Sequence, residues 1–218
     1  MKGARVLVTG ASGFLGKHVV TLLLKEGFVV RTLGRNGSTY PKLPHYQIDL
    51  AGKIPHEALR GADVVVHLAS EVNIARSIED PRSQISNSLA MTLNLLEGCR
   101  TLEKKPLVIF LSSDRVYGKA LGRVTEQSPT FPIEPYTASK IIGEVALTTY
   151  ANLFEIPYIV LRASAFFGPY QPRRSFIADI IQKMKEQDNI TVGPLKSVKN
   201  SVYVGDVASA VLSATKAP

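Results

Sequence analysis

Tyr136 and Lys140 are four residues apart in a stretch with helical periodicity, so they are expected on one face of that helix. A phenol with its ordinary pKa of about 10 is a poor base at neutral pH. A nearby ammonium favours the phenolate and lowers that pKa. Such a pair can exchange a proton with a hydroxyl or carbonyl group. Because this spacing also arises by chance in surface pairs, we interpret it together with the residues upstream.

Two hydroxyl side chains, Ser112 and Ser113, follow an apolar run at 107–111 that predicts a strand. A hydroxyl at the carboxyl end of a strand can hydrogen-bond the substrate oxygen that Tyr136 protonates. Two serines after a strand ordinarily form only a turn. Their significance therefore depends on their occurrence together with Tyr136 and Lys140.

Three glycines, Gly10, Gly13 and Gly16, lie between a predicted strand at 5–8 and a predicted helix at 13–26. Gly10 permits a tight turn, Gly13 permits a phosphate to approach the backbone, and Gly16 permits the helix to pack closely on the sheet. The unpaired N–H groups and the positive end of the helix dipole favour a pyrophosphate at this turn. The alternative is a glycine-rich turn without a ligand, and the strand before and helix after argue against it.

The end of a second predicted strand, at 28–33, bears on the type of dinucleotide. An acidic residue there would bond the ribose hydroxyls of NAD. This chain has Gly34 and Arg35 instead, with Ser38 and Lys42 nearby. A guanidinium suits a 2′-phosphate, so we expect NAD(P) as the cofactor with NADP favoured. The alternative reading of Arg35 is a solvated arginine in a turn.

Predicted strands of continuous apolar character alternate with predicted helices along the whole chain. Further strands are predicted at 46–48, 62–68, 107–111, 158–161 and 190–192, and further helices at 83–102, 135–153, 175–186 and 207–215. This alternation specifies an α/β fold with a parallel sheet covered on both faces, and right-handed crossovers make the doubly wound (Rossmann) topology the expected one. Ligands of such folds bind outside the carboxyl ends of the strands, where each motif above lies.

Composition excludes several classes of protein. The 218 residues are 45% hydrophobic and 20% charged, and no apolar run is long enough to span a membrane. The net charge is +8, but the basic residues are scattered and pairs such as Lys104-Lys105 and Arg173-Arg174 are short. We therefore expect an anionic small molecule as the partner, with no nucleic acid, membrane or metal site. A single cysteine, Cys99, and an N-terminus without a signal peptide predict a cytoplasmic location.

Taken together, these motifs resemble the extended short-chain dehydrogenase/reductase family of NAD(P)-dependent sugar-nucleotide epimerases, dehydratases and reductases. The similarity covers nearly the whole chain, through TGASGFLG at 9–16, DL at 49–50, HLAS at 67–70, SSDRVYG at 112–118, Tyr136 with Lys140, LR through FGP at 161–169, and YVGDVA at 203–208. The resemblance implies a catalytic triad of Ser113, Tyr136 and Lys140. Asp114 matches an acid that the family's dehydratases carry.

The resemblance also implies a set of cofactor contacts. The pyrophosphate would lie on Gly10, Ser12, Gly13, Phe14, Leu15 and Gly16. Asp49 and Leu50 would contact adenine, whereas Leu68, Ala69 and Ser70 would form the wall behind the nicotinamide and its ribose. Lys140 would bond that ribose beside Tyr136. The family's usual Asn four residues before Thr92 is Ser88 here, so Asn87, one residue away, is only a candidate.

Three further substitutions and the chain length depart from the family pattern. Ala165 and Lys199 stand where an Asn and an Arg usually meet the substrate diphosphate, and Arg115 replaces the second acid of the dehydratases. The resemblance stops at Pro218, so we expect either a fragment or a trimmed member with an open site. The expected domains are a dinucleotide-binding domain at 1–165 and a partial substrate-binding region at 166–218.

The leading hypothesis is an epimerase or reductase in which a hydride moves between the nicotinamide and a carbon of a sugar nucleotide. Sugar-nucleotide 4,6-dehydration is an alternative activity. A regulatory module that binds the dinucleotide, RNA or a protein without turnover is the non-enzymatic alternative, against which the intact Ser113, Tyr136 and Lys140 argue. By analogy with the family, the helices at 83–102 and 135–153 predict a homodimer.

Overall fold

A computed structural model describes residues 3–71, 74–119, 122–172, 175–192 and 200–217. Its central feature is a six-stranded, wholly parallel sheet with strand order β3-β2-β1-β4-β5-β6. The strands are β1 Arg5–Thr9, β2 Val29–Gly34, β3 His45–Gln47, β4 Val64–His67, β5 Leu107–Ser113 and β6 Tyr158–Ala163. The order reverses beside β1, which is where doubly wound sheets bind ligands.

The helices of the described residues lie between these strands or follow β6 in the chain. They are α1 Phe14–Lys25, α2 His56–Leu59, α3 Ile74–Glu79, α4 Pro81–Arg100, α5 Pro135–Phe154, α6 Phe176–Glu186 and α7 Val204–Thr215. A 3₁₀ helix, Asp114–Tyr117, follows β5 directly. Two three-residue strands, β7 Ala165–Phe167 and β8 Ser201–Tyr203, pair in parallel as a separate small sheet.

Alternate residues of the central strands enter two hydrophobic clusters, one on each face of the sheet. Val6 and Val8 of β1 pack with α1 and α7. Leu7 faces the other way and packs with residues of α2, α4 and α5, among them Cys99, which is fully buried as its apolar context predicts. The doubly wound parallel sheet predicted from the sequence is therefore confirmed.

Some predicted elements are corrected by the structure. Residues 190–192 form no strand, although their composition predicts one. Ser112 and Ser113 are the last two residues of β5 and pair with β6, rather than forming a turn after the strand. Pairing with β6 extends the strand because Arg162 and Ala163 lie opposite these serines. Among the residues that the structure describes, no helix has both the length and the apolar character needed to cross a membrane.

Candidate functional site

A cavity of about 1070 Å³ opens at the carboxyl ends of β1, β2 and β4 and extends to β5. Most of the site residues predicted from the sequence line it: Gly10, Ser12, Gly13, Phe14, Leu15, Gly16, Arg35, Asp49, Leu50, Leu68, Ala69, Ser70, Asn87 and Tyr136. Ser113, Asp114 and Lys140 are not part of this lining. The fold thus brings together segments that are more than a hundred residues apart in the chain.

The turn between β1 and α1 is too tight for side chains. Gly10 has φ +71°, and a Cβ there would lie 2.7 Å from the Ala69 nitrogen. A Cβ on Gly16 would lie 2.2 Å from the Gly10 oxygen. Helix α1 starts after Gly13 with no side-chain cap and no acidic residue in its first turn, which leaves its first N–H groups available to an anion at the cavity wall. These features fit the pyrophosphate of a dinucleotide.

The wall after β4 is fixed by a buried chain of hydrogen bonds. The Thr9 hydroxyl lies 2.8 Å from Nδ1 of His67 and accepts a hydrogen bond from the Ala69 N–H at 3.2 Å. The next side chain, Ser70, has a buried hydroxyl with no partner among the described residues. An unpaired buried hydroxyl is costly, so its presence in the cavity wall fits a site that holds a polar ligand.

Arg35 lies at the rim of the cavity, just after the end of β2. Its side chain is exposed, and it forms none of the ion pairs found among the described residues. The guanidinium therefore has its full hydrogen-bonding capacity for an anionic group of a ligand.

The adenine side of the predicted site is formed by the turn at Asp49 and Leu50. Asp49 accepts a hydrogen bond from the Ala51 N–H at 3.0 Å, and the Leu50 carbonyl accepts one from Asn94 at 3.0 Å. Asn87 lines the cavity, whereas its neighbour Ser88 is buried and bonded to Gln84. The structure therefore brings Asn87, and not Ser88, to the predicted site.

Tyr136, Ser113 and Lys140 meet where β5 faces the first turns of α5. Lys140 is only 5% exposed, and its ammonium donates to the Leu111 carbonyl at 2.8 Å and lies 5.8 Å from the centre of the Tyr136 ring. Burial raises the pKa of Tyr136, while its hydrogen bond with the Ser113 side chain lowers it. The net direction is upward, so the lowered phenol pKa expected from the Tyr136–Lys140 spacing is wrong for the chain alone.

Charged residues flank this junction on the side of the 3₁₀ helix. Arg115 forms a bidentate ion pair with Glu134, with Nε–Oε1 at 2.6 Å and Nη2–Oε2 at 2.7 Å. Asp114 accepts a hydrogen bond from Ser113 at 3.4 Å and raises the pKa of Tyr136, as Glu134 does, whereas Arg115 lowers it. Sequence reasoning noted Arg115 but missed Glu134, whose only signal was its place just before the α5 proline.

The segment after β6 also contributes to the cavity, although its sequence carries little sign of this. Phe166 stacks on Phe14 with ring centres 5.6 Å apart, and Gln171, Pro172 and Ser175 line the same side. Ala165, where the family often has Asn, is exposed at the start of β7 and does not line the cavity. Lys199 and the pair at 173–174 lie outside the described residues.

Comparison with known proteins gives concordant matches. The sequence model of the NAD dependent epimerase/dehydratase family matches residues 6–218. A putative UDP-glucose 4-epimerase of Methanocaldococcus jannaschii is 33% identical over 221 residues, covering 96% of this chain and 72% of that protein.

Two solved structures illustrate the likeness in fold. A UDP-N-acetylglucosamine 4-epimerase from Methanobrevibacter ruminantium, in complex with UDP-N-acetylmuramic acid, aligns with a TM-score of 0.90 and 26% identity over all of this chain and 74% of its own. The UDP-glucose 4-epimerase of Thermus thermophilus, in complex with NAD, aligns with a TM-score of 0.85 and 31% identity over 98% of this chain and 75% of its own.

Proposed function

Because this chain belongs to the NAD dependent epimerase/dehydratase family, we propose that it inverts a hydroxyl-bearing carbon of a sugar nucleotide. The chain is an NAD-dependent enzyme of the extended short-chain dehydrogenase/reductase type. The observation that carries the proposed reaction is the junction of β5 and α5, where Tyr136 lines the cavity beside Ser113 with Lys140 buried behind it. The dinucleotide, when bound, would supply the redox chemistry by exchanging a hydride with the substrate carbon.

Each residue of this junction has a proposed task. Tyr136 exchanges a proton with the substrate oxygen, and Ser113 holds that oxygen by a hydrogen bond. Lys140 supplies a positive charge that favours the phenolate. Epimerisation starts from a hydroxyl group, so Tyr136 acts first as the base that takes the hydroxyl proton and then as the acid that returns it to the carbonyl oxygen. Because burial raises the pKa of Tyr136 in the chain alone, the first of these steps depends on added positive charge.

The dinucleotide is proposed to lie along the cavity from Arg35 to Tyr136. Its pyrophosphate would bind the α1 N-terminus, with adenine at Asp49 and Leu50 and the nicotinamide ribose against Ser70 and Lys140. Residues 166–218 would add part of the substrate-binding region to the dinucleotide-binding domain at 1–165, which the lining residues Phe166, Gln171, Pro172 and Ser175 support.

We propose NADP rather than NAD as the preferred form. The support is Arg35, an exposed guanidinium at the β2 end with no ion pair to the part of the chain that the structure describes. This position distinguishes the two cofactors in doubly wound folds. A phosphate can accept two parallel hydrogen bonds from such a guanidinium.

Epimerisation is favoured over 4,6-dehydration because the described residues of the junction offer no free second acid. Arg115 stands at the position of the dehydratases' glutamate, and it holds the nearby Glu134 in a bidentate pair. That pair lowers the pKa of Glu134, which makes its carboxylate a weaker base. Asp114 would then be the one acidic group at the described part of the junction that is left to transfer protons during dehydration.

We also propose a cytoplasmic homodimer formed through α4 and α5. Exposed apolar side chains on α5, including Val145 and Leu153, support a helix-on-helix interface. The single buried thiol of Cys99 suits a reducing compartment. Sedimentation of the purified protein would test the assembly, and a monomer at all concentrations would contradict it.

The proposed reaction is tested by incubating the purified chain with UDP- and dTDP-hexoses and either dinucleotide, and following the sugar by NMR. We expect the C4 epimer of at least one substrate to accumulate to an equilibrium ratio. A 4-keto-6-deoxy product would favour dehydration instead. Failure to convert any sugar nucleotide, by a protein that binds the dinucleotide, would contradict the proposed function.

A further inference from the structure

Three consecutive residues of β5 are each hydrogen-bonded to α5. The Leu111 carbonyl accepts from Lys140 at 2.8 Å, the Ser112 hydroxyl donates to Glu144, and the Ser113 side chain bonds Tyr136. The α5 partners follow one another at four-residue intervals, so all three lie on the helix face that packs on β5. Of these partners, Glu144 has no part in the proposed reaction.

Glu144 is buried and held in one orientation by several donors. Besides Ser112, its carboxylate accepts from Arg162, with Nη2–Oε2 at 2.6 Å and Nε 3.2 Å from each oxygen. Arg162 also donates to the Tyr117 hydroxyl at 2.8 Å and the Glu126 carbonyl at 3.1 Å. Its contact with Arg162 is an ion pair, and the donors together fix the carboxylate between β5 and β6.

Besides the Leu111 carbonyl, the rings of Phe110 and Tyr136 stabilise the Lys140 ammonium, which lies 5.1 Å and 5.8 Å from their centres. Burial lowers its pKa to about 8, and Glu144, one turn further along α5, acts in the opposite direction. An ammonium in such surroundings loses its proton near neutral pH unless a carboxylate stabilises it. The charge that the proposed function requires of Lys140 therefore depends on its neighbour.

We propose that Glu144 is a positioning residue, which holds Lys140 in its protonated form beside Tyr136 and fixes the end of β5 through Ser112. This inference rests on the proposed function of Tyr136 and Lys140. Glu144 touches neither substrate nor cofactor in this account and acts through Lys140 and Ser112.

Charged and titratable groups face Lys140 from each packed element. Tyr136 and Glu144 lie on its own helix, His67 comes from β4, and Arg162 of β6 acts through Glu144. His67 is neutral because burial lowers its pKa to about 3. On the 3₁₀ helix, Asp114 and Arg115 change the pKa of Tyr136. On α4, Glu97 is bonded to Arg100 and Tyr150. The α3 residues Arg76 and Glu79 are exposed. Glu144 is thus the acid that acts on Lys140.

The direct test is the titration of Lys140 in protein carrying ¹³C-labelled lysine, followed through the Cε chemical shift by NMR. The signal is assigned by its loss in Lys140→Arg. In Glu144→Gln, which keeps an oxygen for Ser112 but removes the charge, the titration midpoint should fall by about one pH unit or more. Glu144→Asp keeps the charge and should titrate nearer to the parent.

Glu97→Gln is the matched control, because Glu97 also bonds a cation and a hydroxyl but is not among the groups that act on Lys140. Its Lys140 midpoint should equal that of the parent. If Glu144→Gln does not fold because Arg162 is left without its partner, the double variant Glu144→Gln, Arg162→Gln removes that cation as well. Lys140 should still titrate below the parent, because the carboxylate that favours its charge is gone.

The kinetic consequence separates this role from a purely structural one. In Glu144→Gln the loss of kcat at high pH should begin about one pH unit lower, with kcat near the parent value at pH 6. A folded Glu144→Gln with the parent's Lys140 midpoint, or a shifted midpoint with an unchanged pH–kcat profile, would overturn the proposal. Absence of turnover in the parent would refute the proposed function instead, and the titration would still report on Glu144.

Discussion

Arg115 and Glu134 form a bidentate ion pair that ties the residue two places after Ser113 to the residue two places before Tyr136. The pair joins the 3₁₀ helix to the N-terminal cap of α5, and Thr137 donates a further hydrogen bond to Glu134 at 3.0 Å. It therefore sets both the spacing of the two hydroxyl groups and the balance of charge around the phenol.

Replacing Arg115 with Met is expected to lower kcat by roughly tenfold. This loss is smaller than the roughly 10²- to 10⁴-fold rate contribution of a positioned acid–base group, because Tyr136 itself remains in place. The variant leaves Glu134 uncompensated, and that carboxylate raises the pKa of Tyr136. The rise of kcat with pH should move to higher pH. Arg100→Met, which breaks the exposed pair with Glu97, is the control and should keep the parent profile. A parent-like profile in Arg115→Met would show that the pair has no influence on Tyr136.

Arg35 should determine cofactor preference. Arg35→Ser is expected to weaken NADP binding at least tenfold, since a charge-assisted hydrogen bond contributes about 1.5–3 kcal/mol, and to leave NAD binding within about twofold. Lys25→Ser removes an equal charge from the far end of α1 and should change neither affinity. Calorimetric titration of both dinucleotides measures the ratio. A parent that binds NAD more tightly than NADP would contradict the preference.

Gly16→Ala is expected to lower the free energy of unfolding by about 2 kcal/mol and to abolish dinucleotide binding. A methyl group there would lie 2.2 Å from the Gly10 oxygen, so the turn that holds the pyrophosphate must open. Gly37→Ala is the control, because no atom lies within 4 Å of its added Cβ. Urea denaturation compares the variants, and equal stability of the two would show that the turn is looser than described.

His67 should make the fold sensitive to acid. Its Nδ1 bonds Thr9 and its Nε2 faces Thr92, so both nitrogens are used by the neutral ring, and burial lowers its pKa to about 3. Between pH 6.5 and 3 the unfolded chain binds a proton here that the folded chain does not, so stability falls as the pH falls.

From pH 7 to pH 4 the parent should lose about 3 kcal/mol more of its free energy of unfolding than His67→Gln does. Urea denaturation at each pH provides the comparison. His56→Gln, at an exposed position at the start of α2, should retain the parent's pH dependence. Parallel losses in the parent and His67→Gln would mean that His67 is protonated in the folded state.

The fold and the main site residues could be predicted from the sequence because their signals are local. The strand Val64–His67 is apolar up to its last residue because both faces of a parallel sheet are covered. The glycine spacing after β1 predicts the turn, and the membership of the chain in its family confirms the resemblance. The Rossmann fold was predictable in outline for the same reason, with element ends shifted by a few residues.

What could not be predicted depends on contacts between distant segments. The three-residue strands β7 and β8 pair across more than thirty residues, and residues 190–192 have strand composition but no strand to pair with among the described residues. Glu134 and Glu144 form ion pairs with Arg115 and Arg162, which lie on other elements, so the sequence near each glutamate does not indicate its role. The spacing of Tyr136 and Lys140 in the sequence indicates that a cation lies near the phenol, but it does not indicate that the phenol is buried. Burial raises the pKa of Tyr136, opposite to the direction expected from the spacing.

The most direct test of this account is kcat of Tyr136→Phe, measured together with its affinity for the dinucleotide. Removing the hydroxyl should lower kcat by roughly 10²-fold or more, with cofactor affinity close to that of the parent, because only the proton-transfer group is lost. Tyr150→Phe, which removes a hydroxyl bonded to Glu97 further along the same helix, should retain kcat. A Tyr136→Phe enzyme that turns over at the parent's rate would contradict the central claim.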